Sequence, residues 1–295
     1  MAKKERSFFK RNKIQKISLG AIVLLVLVLP LIVVSIEKHQ KDAANAQTAA
    51  YPTAPPVQVC SDSSLLSGPA TAPAGAITVP AGDNSSVNFS QSGATYWFAP
   101  GTHTIGTGQY NQIDPAANST FIGAPGAVID GQGKNHYAFG GTSTGVTIKY
   151  LTIKDFGTGS SATTPSSDDN NEGVVNHDAG HNWTVENNTV EYNAGAGVFV
   201  GTNDVLINNC LTQNGQYGFS AYEDNDVSNV NISNNEISYN DTYNWEAKID
   251  GCGCTGGGKF WRTHGATFNN NYVHDNYSVG MWADTDNNAF DVEGN

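Results

Sequence analysis

Val185 to Asn193 reads VENNTVEYN, and three later stretches repeat its pattern: Leu206 to Asn214 (LINNCLTQN), Ile232 to Asn240 (ISNNEISYN) and Phe268 to Asn276 (FNNNYVHDN). The shared template is apolar, any, Asn, Asn, any, apolar, any, any, Asn. A fifth copy opens at Val292 (VEGN). Taking the second Asn as marker, the copies fall at Asn188, Asn209, Asn235, Asn271 and Asn295, in steps of 21, 26, 36 and 24 residues. Each full copy is followed by a glycine-led short strand: Gly197-Val198-Phe199-Val200, Gly218-Phe219-Ser220-Ala221, Gly258-Lys259-Phe260-Trp261 and Gly280-Met281-Trp282-Ala283. In the third of these the strand is delayed by a fourteen-residue insertion after Asn240.

Short strands broken by Asn and Gly at this period suit one turn of a β-solenoid. Stacked turns pair their strands in parallel about 4.8 Å apart. Val185, Leu206, Ile232 and Phe268 then form one inner column, and Val190, Leu211, Ile237 and Val273 a second. Asn fits the corners because it tolerates left-handed backbone and bonds locally. Its side chains can also bond from turn to turn, as in stacked strands. The Asn columns are therefore read as corners and not as catalytic groups. Leucine-rich repeats would place Leu at most inner positions with a helix per repeat, and neither is present. Ala94 to Gly101, Phe121 to Gly131 (FIGAPGAVIDG) and Val146 to Ile153 (VTIKYLTI) fit the start of the same solenoid, and Gly157 to Asn171 reads as an inserted surface loop.

From about residue 93 to 295 the chain resembles the pectate-lyase-like superfamily of right-handed parallel β-helices. The carrying segments are GAPGAVIDGQG, VTIKYLTIKDF and the later Asn-Asn repeats. Within it, the chain looks most like bacterial surface or secreted β-helix repeat proteins. The resemblance implies an all-β parallel β-helix and work on a polysaccharide, since most characterised members cleave, epimerise or bind one; the functional step is analogy. The paired-Asp and Gly-His-Gly pattern of the polygalacturonase branch is missing.

Ahead of the solenoid, residues 1–16 carry seven of the fifteen Lys and Arg. Ile17 to Ile36 is uncharged and apolar, long enough as a helix to cross the hydrocarbon core, at roughly 30 Å. The charge bias predicts the N-terminus inside and the remainder outside. Cleavage near Ala44-Asn45-Ala46 is the alternative, and it also exports the rest. Residues 37–80, rich in Ala, Pro and Thr, read as a linker, and 81–295 as the β-helix, which the interrupted fifth copy predicts to be a piece of a longer one. The predicted localisation is thus a single-pass cell-membrane protein with its β-helix outside, or a secreted one.

Beyond residue 51 six bases face twenty-four acids, a net charge of −18. That argues against nucleic acid as a partner, which needs a positive footprint, and is compatible with a hard cation such as Ca²⁺. Export permits disulfides among Cys60, Cys210, Cys252 and Cys254. Cys252-Gly253-Cys254 lacks the second pair of a zinc site; a local bridge and a pair to Cys60 both stay open. There is no phosphate loop, nucleophile elbow or HExxH.

Aligning the glycines, with Gly173 as an earlier copy, predicts two outward columns. Two residues on come Val175, Phe199, Ser220, Phe260 and Trp282; four on come His177, Gly201, Tyr222, Arg262 and Asp284. This buries Lys259, which is costly for an unpaired charge. A one-residue bulge would instead turn Lys259 and Trp261 outward, and both registers stand at this point. Either way, candidate catalytic residues are Lys259, Asp284, Glu223 and Arg262. Candidate substrate-binding residues are Trp261, Trp282, Tyr222 and His177, with Asp224 and Asp286 as Ca²⁺ ligands beside Asp284. A lyase acting on uronic acids needs a base, here Lys259 or less aptly Arg262, and a cation for the developing charge. A hydrolase needs two carboxylates, such as Asp284 with Glu223 or Asp286. The tryptophan faces can stack on sugar rings. Plainer readings stand beside these: an Arg262–Asp284 ion pair between coils, a turn at Asp286-Asn287-Asn288, Trp282 in the core, and a non-catalytic module for glycan binding or adhesion.

Overall fold

A computed structural model describes residues 58–157, 173–223, 225–245 and 256–295. The apolar run at residues 17–36, the first part of the linker, the predicted surface loop beyond Gly157, Asp224, and the part of the insertion at residues 246–255 with Cys252 and Cys254 lie outside the described residues. Among the described residues no helix is long and apolar enough to cross a membrane.

The chain coils into three parallel sheets of nine, eight and five strands, with a two-stranded pair, Val227–Ser228 and Thr263–His264, beside them. Each coil up to Tyr272–His274 contributes one short strand to both the first and second sheets, the last strand, Asp291–Glu293, joins the first sheet alone, and the later coils add one to the third. In the first sheet the register stacks Ile77, Tyr96, Phe121, Ile148, Val185, Leu206, Ile232 and Phe268 in one inner column, with exposed Val292 in line at its end. In the second it stacks Ile129, Ile153, Val190, Leu211, Ile237 and Val273. Both columns are those expected from the repeat. Alternation along each strand makes this work, because every second side chain enters the core. One coil departs from the aliphatic rule: buried His103 stands at the Ile129 position. Its ring nitrogens bond Asn84 Oδ1 and the Ala99 carbonyl, each at 2.8 Å, and burial lowers its pKa despite that carbonyl.

The two Asn positions of each NN pair divide the corner between them. The first Asn (187, 208, 234, 270) takes the left-handed backbone, φ 56–59°. The second builds the ladder: Asn188, Asn209, Asn235, Asn271 and Asn295 bond amide to carbonyl in sequence, at 3.0–3.2 Å. A parallel ladder joins Asn193, Asn214, Asn240 and Asn276 at 3.0 Å. Each ladder runs on to a backbone amide of the preceding coil, that of Leu151 or Phe156. In a buried corner these side chains satisfy backbone groups that sheet pairing leaves unmatched.

The described part of the predicted linker is ordered against the solenoid, which corrects that boundary. Ile77–Val79 is already the first strand of the nine-stranded sheet. The stretch before it runs back across several coils. Cys60 is bridged to Cys210, which overturns the alternative that paired Cys60 with Cys252 or Cys254. Its amide donates to Glu236 Oε2 at 2.9 Å. The Leu65 carbonyl accepts from Asn187 and the Pro69 carbonyl from Trp97. Gly68 lies so close to the Gly123 carbonyl and the Tyr150 side chain that a Cβ would overlap both.

Candidate functional site

The third sheet resolves the open register. Phe199, Ser220, Lys259 and Trp282 align as one column, and Phe219, Gly258 and Met281 as the one beside it. Gly257, not Gly258, is the partner of Gly218, so the bulged register holds. Val175 aligns with Val198, and both are buried in the core, as is Phe260. The predicted outward placement of Val175 and Phe260 is therefore corrected, while Val198 is inward as its alternate position predicts. Gly258 makes this possible locally: a Cβ there would strike the Phe219 ring. That ring packs edge-on against Phe260 at 5.3 Å, and Phe260 packs against Phe268. With no side chain at 258, the aromatic core fills the coil and Lys259 projects from its other face.

Two residues further on, the same register carries Tyr222, Trp261 and Asp284 on successive coils. Amide bonds from Trp261 to the Ala221 carbonyl and from Asp284 to the Phe260 carbonyl continue the pairing. The face thus gathers Tyr222, Lys259, Trp261, Trp282 and Asp284, all from the sequence-based candidates. Lys259 Nζ lies 2.9 Å from Asp284 Oδ2 and 5.3 Å from the ring centres of both Trp261 and Trp282. Burial works to raise the Asp284 pKa, but the Lys259 hydrogen bond and charge, with Thr285, outweigh it and hold the carboxyl below its usual range. Trp282 is partly exposed and not core.

Arg262 and Asp286 stand apart from this group. Arg262 sits at a left-handed turn, φ 47°, and pairs with Asp226 at 2.6 Å. The alternative Arg262–Asp284 pair is therefore replaced by two others, Lys259–Asp284 and Arg262–Asp226. Asp286 occupies a turn, as its plainer reading had it, and its backbone carbonyl bonds His264 at 3.1 Å. Asp224 lies outside the described residues. Among the described residues no group of three or more His, Cys, Asp or Glu is arranged to hold a metal ion.

At the Phe199 end of the face opens a cleft of about 590 Å³ lined by His177, Asp178, His181, Phe199, Tyr222 and Glu223, among others. The His177 ring stacks on Tyr137 at 3.5 Å, its Nε2 3.6 Å from Asp178. Glu223 is held by two contacts: the Thr202 amide donates to Oε1, and His181 Nε2 lies 3.2 Å from Oε2. Behind it, buried Asp204 accepts hydrogen bonds from the Trp183 and Gly201 amides and from Asn176. Burial pushes the Asp204 pKa up to about 8, with the Glu223 charge adding and the three hydrogen bonds opposing.

Sequence reasoning missed His181 and Asp204. Asp204 had a signal. It precedes the first-sheet strand at the place where neighbouring coils carry buried Trp183, Val230 and Ala266, so a lone acid in an apolar column marks it. His181 lies in an irregular turn, and only the fold brings it to Glu223.

Residues 172–295 match the family model of the right handed beta helix region. The parallel stacked sheets are consistent with a right-handed parallel β-helix over that part of the chain, and the coils from Ile77 onward continue the same sheets. No curated protein matches the chain in sequence.

Proposed function

We propose that this is an extracellular polysaccharide-active protein, carried on the apolar segment at residues 17–36, whose third-sheet face binds a glycan chain and whose cleft cleaves it. One observation carries the reading. Tyr222, Trp261 and Asp284 follow one another on adjacent coils, beside Ser220, Lys259 and Trp282. A repeating polymer is met by a repeating surface, with aromatic faces for sugar rings and polar groups for hydroxyls. The cleft beyond Tyr222 supplies carboxylates, Glu223 and Asp178, and imidazoles for proton transfer.

A specific feature favours a second reading, glycan binding without cleavage. The Lys259 ammonium is ion-paired and packed over two indoles, an arrangement suited to stiffening a binding surface rather than accepting a proton. Incubating the full chain with a panel of polysaccharides, while following tryptophan fluorescence, new reducing ends and unsaturated products, separates the two. Product formation that Glu223→Gln abolishes supports cleavage. A fluorescence change without product supports binding alone. Silence in every channel, from folded protein, refutes both.

A further inference from the structure

We infer that the glycan taken by the third-sheet face is an uncharged one, not a polyuronate; this deepens the reading above and rests on it. The argument is the sign of the charge along the face. A polyuronate carries one carboxylate per sugar and needs unpaired cations to receive them. Among the described residues the Lys and Arg of this region are Lys259 and Arg262, and both are already neutralised, by Asp284 at 2.9 Å and Asp226 at 2.6 Å.

The cleft offers no surplus of positive charge either. His181 faces Glu223 and His177 faces Asp178, so each imidazole already has a carboxylate partner. Asp204 lies behind them, and the Glu223 charge helps burial to hold its proton in place. Among the described residues, a uronate laid here meets no other cation and must displace Asp284 from Lys259 or sit against Glu223. What the face does present is Tyr222, 41% exposed, together with partly exposed Trp261 and Trp282, and hydroxyl and carboxylate acceptors. That set suits sugar rings bearing only hydroxyls.

The class of glycan bears on the chemistry. Elimination draws on a proton made acidic by a neighbouring carboxylate, which an uncharged sugar lacks. Cleavage here is therefore hydrolysis. The bond from anomeric carbon to glycosidic oxygen breaks, the hydroxyl of water ends on the carbon, and its proton on the departing oxygen.

The test titrates the full chain with uncharged polymers (mixed-linkage β-glucan, xylan, mannan) and with polygalacturonate and alginate, by affinity electrophoresis and tryptophan fluorescence at low and high salt. At least one uncharged polymer should bind roughly tenfold tighter than either polyuronate, with little salt dependence. In Asp284→Asn, which frees the Lys259 charge, the ratio of polyuronate to uncharged-glycan affinity should rise several-fold. Polyuronate binding by the wild-type chain that equals or exceeds the uncharged polymers and weakens with salt would overturn this inference and leave the glycan-binding reading intact. Binding of neither class would overturn both. The wild-type titrations decide the matter even if the variant does not fold.

Discussion

Replacing Asn209 by Ala should cost far more than replacing its neighbour Asn208. The Asn209 side chain is fully buried. Its Oδ1 accepts from the Asn188 backbone amide at 2.9 Å and from Asn188 Nδ2 at 3.2 Å. Its Nδ2 donates to the Val185 and Ile207 carbonyls and to Asn235 Oδ1. Truncation leaves the Asn188 amide without this acceptor in a buried corner, a cost of about 1–3 kcal/mol, and removes further bonds of about 0.5–1.5 kcal/mol each. Allowing for non-additivity within one network, the total is about 3–5 kcal/mol. Asn208 contributes mainly its left-handed backbone, φ 57°, so Asn208→Ala should cost about 1–2 kcal/mol. Urea denaturation monitored by circular dichroism gives the global difference. Hydrogen exchange gives its place: because each coil contacts only its neighbours, the Asn188 amide should exchange roughly a hundredfold faster while the first coils keep their protection. Equal losses in the two variants, or unchanged exchange at Asn188, would refute the reasoning that the ladder's second Asn carries the corner.

Three further outcomes are expected. Reducing Cys60–Cys210, which closes a 150-residue separation, should lower stability by about 2–5 kcal/mol and raise exchange over residues 58–76; unaltered protection there would mean the strap holds by packing alone. Asp204, raised from 3.8 to about 8 by burial, keeps its proton in the folded state between those values and loses it on unfolding. Its stabilising share is therefore full at about pH 4 and is lost as pH rises through about 8, on the order of several kcal/mol. Asp204→Asn should flatten that part of the stability profile, and an unchanged slope in calorimetry across pH would count against it. Gly258→Ala should force the Phe219 ring aside and destabilise by about 1–3 kcal/mol, with a shifted Trp261 and Trp282 fluorescence; wild-type spectra would show that the coil relaxes freely.

The repeat alone determined the solenoid, its two long inner columns and the ladder of second asparagines. Each follows from a period in the chain, and stacking forces equivalent residues together. It also named most of the polar and aromatic groups on the third-sheet face, because outward positions alternate with inward ones. Which residue of Gly256-Gly257-Gly258 starts the alternation was decided only by tertiary packing. The Phe219 ring needs the space above Gly258, and that choice turns Lys259 and Trp261 out and Phe260 in. The ion pairs followed from the same shift: Asp284 meets Lys259, and Arg262, at a turn, meets Asp226. The strap and its disulfide were hidden as well, since residues 58–76 lack the repeat and find their partners up to 176 positions away. Local composition marks such a stretch as linker; only the finished surface of the coils supplies what it packs against.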